Sequence, residues 1–138
     1  MQTLTEKNKV VVIRFNREFI QDDNLVTFGE LIADDMINHA APPGSSTGPD
    51  GMLQSIRGVL KKGFPDLEVD ILDLIAENDL VTARKIFYGT HQGTFMGIPA
   101  TGKKIEINSI EIIRIKNGQY TERWGVSDMN EIIKQLLA

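Results

Sequence analysis

Residues 105–127 read IEINSIEIIRIKNGQYTERWGVS, and the reading of this stretch decides the fold. Side chains of a strand alternate between two faces, so Ile105, Ile107, Ser109, Glu111, Ile113 and Ile115 share one of them. Four isoleucines make that a core face. Asn117-Gly118 is the signal of a type I′ turn, whose central residues both need positive φ, and the two flanking runs are therefore the strands of a hairpin. With Lys116 opposite Gln119, Ile115 meets Tyr120, Ile113 meets Glu122, and Glu111 lies across from Trp124. A carboxylate beside an indole on an apolar face loses hydration of its charged form, so its pKa is expected to rise toward the range useful in general acid or base work. The alternative reading pairs Glu111 with an arginine or sets it at a wet rim, since ionisable side chains are rarely buried alone.

The opposite face of the hairpin carries Lys104, Glu106, Asn108, Ile110, Ile112 and Arg114. Ile110 and Ile112 between charges resemble a subunit contact more than a wetted surface, which predicts a homodimer through the sheet.

Working outward, Leu67–Ala76 alternates, Glu77-Asn78-Asp79 turns the chain, and Leu80–His91 returns as a second strand. Gln92–Gly102 is a glycine-rich connection into the central hairpin. Upstream, Thr3 and Glu6 have capping-box spacing ahead of a helix reaching Gln21, with Val12, Phe15 and Phe19 on one stripe. Asp22-Asp23-Asn24 breaks it, and a shorter helix covers Leu25–Ala33. Met36–His39 reads as a short extended piece and residues 41–50 as a loop. Pro49 is suited to the first turn of a third helix, which carries Met52, Ile56, Val59 and Leu60 and ends near Gly63. At the other end Asp128, with Glu131 three residues on, reads as the cap of a closing helix. Helices first, four antiparallel strands next and one helix last make an α+β fold, with the helices packed on one face of a curved sheet.

The 138 residues suffice for one domain, 1–138, with a single core. A net charge of −4 argues against a surface that tracks phosphates, so nucleic acid is not an expected partner. Zero cysteines exclude disulfides and thiolate nucleophiles and suit a cytoplasmic protein. The opening residues Met1–Lys7 have no secretory pattern, and Val10–Ile13 is too short to span a bilayer, so no membrane association is expected.

Two histidines are candidates for chemistry, and neither has a second histidine at metal-ligand spacing, so no metal is expected. His39 lies between the second helix and the proline-rich loop, either pointing into a cavity mouth or hydrogen-bonded to backbone. His91 follows Lys85 and Phe87 along a strand, with the same two readings. Trp124 opposite a carboxylate is either core or pocket wall, and Phe19 and Met36 are further wall candidates. Gly97–Lys104 approaches a phosphate-binding loop, but it ends in Lys and runs into a strand where such a loop opens a helix.

Phe64-Pro65-Asp66-Leu67, the run Gly89-Thr90-His91-Gln92-Gly93-Thr94-Phe95-Met96-Gly97-Ile98-Pro99-Ala100-Thr101-Gly102-Lys103, and Glu122-Arg123-Trp124 through Asp128 resemble the SnoaL-like polyketide cyclases of the nuclear transport factor 2-like superfamily. The resemblance extends over nearly the whole chain. It implies a cone-shaped α+β barrel, commonly dimeric, with an apolar cavity between the helices and the curved sheet. It also implies cofactor-free intramolecular aldol closure of a polyketide ester by side-chain acids and bases. The acid/base pair associated with those enzymes, a His-x-Asp around the family tryptophan, falls here on Arg123 and Gly125. Neither does that work, because arginine stays protonated and glycine has no side chain.

The expectation is thus a small enzyme, a cyclase, isomerase or lyase, acting on a small apolar molecule such as a polyketide-like ester. Glu111 is the proton-transfer group, His91 and His39 are secondary proton carriers, and neither cofactor nor metal is needed. The competing expectation is a non-catalytic dimeric module that holds an apolar ligand or scaffolds a partner.

Overall fold

Thr3 starts the first helix as its spacing to Glu6 requires: its hydroxyl accepts the Glu6 N–H at 3.3 Å. Such a cap is worth about 1 kcal/mol. In the computed structural model, which describes residues 1–138, helix α1 covers residues 4–21 and is α-helical over Leu4–Arg14, widening to π geometry over Phe15–Gln21. Val12, Phe15 and Phe19 are all buried, as their stripe predicts. Asn24 caps α2 (Leu25–Leu31) by accepting two backbone N–H groups. This helix is shorter than the sequence suggests, because Ile32 already has extended φ and ψ of −105° and 121°. Ile32 opens strand β1 (Ile32–Asn38), which begins earlier than the extended piece expected over Met36–His39 and contains its first three residues. Helix α3 follows over residues 49–63, with Pro49 in its first turn and π geometry over Gln54–Leu60.

Strands β2 (Glu68–Glu77), β3 (Leu80–Thr90), β4 (Lys104–Lys116) and β5 (Gln119–Ser127) then run antiparallel, and α4 (Met129–Leu137) closes the chain. The sheet has five strands in the order β1-β5-β4-β3-β2, with β1 parallel to β5. The fifth, parallel strand is a correction to the expected four. Its partner is the strand after the Asn117-Gly118 turn, a pairing between segments too distant in sequence for local pattern to reveal. Asp128 also differs from expectation. Its side chain leaves the N-terminus of α4 and accepts instead from the backbone and side-chain N–H groups of Asn108, both at 2.9 Å. No helix is long and apolar enough to cross a membrane.

The hairpin turns at Asn117 and Gly118 with φ of 52° and 75°, and its first two pairs, Lys116 with Gln119 and Ile115 with Tyr120, are those predicted. The register then slips by one residue. Beyond Ile115 the pairs are Arg114 with Glu122, Ile113 with Arg123, Ile112 with Trp124 and Glu111 with Gly125. Thr121 is the unopposed residue, its hydroxyl donating to the Arg114 carbonyl at 3.2 Å. Because the side-chain period is two, one extra residue exchanges the faces of everything after it. Arg123 and Gly125 thus turn inward with Glu111, while Trp124 turns outward with Ile112. The expected facing of Glu111 and Trp124 is thereby overturned.

Candidate functional site

Helices α1 and α3 cover the inner face of the sheet and leave a cavity of about 570 Å³. Half of its 24 lining residues are apolar, among them Phe15, Met52, Phe87 and Ile107. A wider depression of about 650 Å³ on the opposite sheet face is lined by Glu68, Lys104, Glu106 and Asn108 and is polar throughout most of its wall. The inner cavity is the one that holds buried ionisable groups.

The alternation of β3 carries Lys85 inward with Val81, Ala83 and Phe87, and all four are buried. Lys85 stands opposite Ser109 and so diagonal to Glu111, which faces Ala83. Lys85 Nζ lies 2.6 Å from Glu111 Oε2, with only 3% of either side chain exposed. It also donates to Asn16 Oδ1 at 2.6 Å and lies 4.9 Å from the centre of the Phe87 ring. Asn16 sits in the π-helical part of α1, where its Nδ2 donates to the Val12 carbonyl at 2.9 Å. On the other side Arg123 Nε donates to Glu111 Oε1 at 2.8 Å, and Arg123 Nη1 donates to Asn38 Oδ1 at 3.3 Å. The result is a line of polar groups, Asn16, Lys85, Glu111, Arg123 and Asn38, beside a chamber whose lining is half apolar.

Burial by itself raises the Glu111 pKa, the effect behind the expected elevated value. The adjacent charges and hydrogen bonds of Lys85 and Arg123 outweigh burial and hold the carboxyl at about 2. Glu111 is therefore an ionised carboxylate, and the expected neutral acid is overturned in favour of the arginine-paired alternative. Burial moves Lys85 the other way: it lowers the ammonium pKa below the usual lysine range, against the opposing pull of Glu111. The buried Tyr120 hydroxyl, without a hydrogen-bond partner, is pushed up first by burial and then by the Glu111 charge.

The three residues expected to share the chemistry are not brought together. Only Glu111 lines the cavity. His39 stacks on Trp124, ring centres 4.9 Å apart at 11°, and its Nε2 lies 2.9 Å from Glu122 Oε2. Both rings belong to the outer face, because the β5 bulge sends Trp124 there. His91 is fully buried, but against Phe64, and its Nδ1 accepts the Thr101 N–H at 3.2 Å. It ties down the connection between β3 and β4. Phe19 and Met36 are buried core residues beside the chamber, whereas Phe15 and Ile20 supply the wall from α1. Lys85 and Asn16 were missed. The available signal for Lys85 was a lone lysine at an odd position between Ala83 and Phe87; Asn16 between Phe15 and Phe19 offered none. No three His, Cys, Asp or Glu side chains cluster as a metal site.

The sequence model of the SnoaL-like polyketide cyclases matches residues 10–136. The chain belongs to the SnoaL-like polyketide cyclase family. Among solved structures it is similar to IdmH of Streptomyces antibioticus, a candidate polyketide cyclase, at 29% identity and a TM-score of 0.83, covering 95% of this chain and 99% of that one. AclR of Streptomyces galilaeus, a candidate hydroxylase, has 25% identity and a TM-score of 0.84, with 96% of this chain and 82% of that one covered. TsrD of Streptomyces laurentii shares the fold at 23% identity and a TM-score of 0.83, with 98% of each chain covered. No curated protein sequence matches the chain. These structural neighbours share one α+β scaffold while the names attached to them span different chemistries, so the side chains in the chamber must carry the functional reading.

Proposed function

We propose that this SnoaL-like protein is a cofactor-free enzyme that moves a proton next to a carbonyl group of a small apolar, polyketide-like molecule, as a cyclase, isomerase or lyase. The observation carrying this reading is a buried lysine in the cavity lining, anchored at both Glu111 and Asn16. Desolvation makes the neutral amine of Lys85 accessible at lower pH than in water, which suits a base for a proton made acidic by a carbonyl. When Lys85 takes up that proton its new charge meets Glu111, which Arg123 keeps ionised. The oxygen of the substrate gains negative charge in the same step, and Arg123, a cation of the lining that stays protonated, opposes it. Glu111 thus acts as the fixed counter-charge, and Lys85 takes the proton-carrying part first expected of Glu111.

The test is a pH–rate profile with an apolar β-keto ester. Turnover should rise through an apparent pKa below the ordinary lysine value of about 10.4. Lys85→Met should abolish it, and Lys85→Arg, which cannot shed its proton, should not restore it. Full turnover in Lys85→Met ends the proposal. The alternative, a binding module without chemistry, draws support from Glu111 being locked by two cations; it requires tight ligand binding with no turnover in any variant.

We further propose that the outer sheet face joins two copies of the chain, because Ile110, Ile112 and Val126 are all exposed on neighbouring strands, at 48%, 39% and 72%.

A further inference from the structure

The charges around the cavity run against those of the chain. The whole protein has 19 acidic and 15 basic residues, yet the lining of the inner chamber contains Lys62, Lys85 and Arg123 and a single acid, Glu111. Glu111 is occupied by its two cationic neighbours. Lys85 is committed to Glu111 and Asn16. Arg123 is only partly committed: Nε serves Glu111 and Nη1 serves Asn38, while Nη2 has no hydrogen-bond partner. A guanidinium has five N–H donors; the chain uses two of them here, so three, including both on Nη2, remain for water or for an acceptor from outside the chain.

Gly125 is what puts that edge in place. It lies across from Glu111 on the inward face of β5, two residues after Arg123. A methyl group built there would lie 2.8 Å from Arg123 Nη2 and 3.1 Å from Cζ. The guanidinium therefore rests in space that any other residue would fill. A side chain there would push the Nη2 edge of the guanidinium aside.

We infer that the cavity selects molecules with an apolar body and an anionic oxygen, a carboxylate or an enolate, and that Arg123 Nη2, seated by Gly125, is the group that recognises that oxygen. This rests on the proposed reading of the chamber as a small-molecule site and narrows its substrate class, but it does not depend on turnover. A charge-assisted hydrogen bond from a partly buried guanidinium favours an anion over its neutral analogue by about tenfold or more.

The experiment is displacement of 1-anilinonaphthalene-8-sulfonate from the intact protein by decanoate and by decan-1-ol, which share a body and differ in the head group. Decanoate should displace the dye at about tenfold lower concentration than the alcohol. The preference should collapse in Arg123→Gln and shrink in Gly125→Ala while decanol still competes. Gly125→Ala keeps the arginine and so covers the case in which Arg123→Gln fails to fold. A parallel titration follows the enolate absorbance of benzoylacetone, which should form at lower pH in the presence of protein. Decanoate preference alone assigns the subsite to carboxylates, and an enolate shift alone assigns it to enolisable dicarbonyls. Neither effect, or a preference that survives both variants, or one removed by Lys62→Gln instead, overturns the inference. Failure here with Lys85-dependent turnover intact would leave Lys85 standing as the base and remove Arg123 from both the anion subsite and the proposed step.

Discussion

Replacing Glu111 with Gln keeps the outline of the side chain and removes its charge, leaving Lys85 and Arg123 as uncompensated cations in the chamber. The carboxyl lies at about 2 in the folded protein against an ordinary 4.5. At about 1.4 kcal/mol per unit, that difference corresponds to about 3 kcal/mol of native-state preference for the ionised form. Opening a buried ion pair from one side costs about 3–5 kcal/mol by comparison with other proteins, so both routes give a loss of about 3 kcal/mol at neutral pH. Lys85 moderates it, because an unpaired buried ammonium can give up its proton. The direction with pH follows from the depressed pKa. The stabilisation is complete above the unfolded-state value and fades as pH falls through it toward about 2, where the folded carboxylate itself protonates. Urea unfolding of the parent and the variant, at pH 7 and in steps to about pH 3, should show a gap that narrows with acid. A gap below about 1 kcal/mol at pH 7, or one that does not change with pH, would refute the account of Glu111 as an ionised keystone.

Other perturbations test separate parts of the structure. Asn16→Asp places a second carboxylate on Lys85 Nζ, which should raise the lysine pKa and move the acidic limb of the pH–rate profile up by about one unit. A profile that stays in place would disconnect Asn16 from the chemistry. His91→Ala removes a fully buried ring that holds Thr101, and thermal unfolding should report a loss of about 2–4 kcal/mol. An acid–base role for His91 would instead predict lost turnover with little lost stability. Ile110→Lys puts a charge in the exposed apolar patch, so sedimentation velocity at micromolar concentration should show a dimeric parent and a monomeric variant. Two monomers would remove the sheet-face contact.

Combining Lys85→Met, Glu111→Leu and Arg123→Met, so that no member of the charged triad is left unpaired, asks what the ionic line is for. Well-packed apolar replacements of buried ion pairs are commonly neutral or stabilising by about 1–4 kcal/mol. Stability at or above the parent's, together with lost turnover, would mean that the charges serve chemistry at the expense of the fold. A marked loss of stability would favour a structural role.

Local pattern determined much of this molecule. The odd-numbered isoleucines of β4, the Asn117-Gly118 turn, the Thr3 cap and Pro49 each state their own geometry, because period, turn conformation and capping depend on neighbours a few residues away. Glu111 was legible as an acid on a core face for the same reason. Its charge state was not, because that depends on Lys85 from one strand, Arg123 from another, and the balance of their pull against burial. The decisive event was the bulge at Thr121. A hydrophobic pattern as mixed as Tyr120-Thr121-Glu122-Arg123-Trp124-Gly125 leaves the register to the packing of its partners, and β1 lies on its far side. That one-residue slip sent Trp124 and its stacked His39 outward and brought Arg123 in beside Glu111. Which face a side chain reaches is thus a property of the strand period, but which period governs β5 is settled only once the sheet and the helices above it have closed around the chamber.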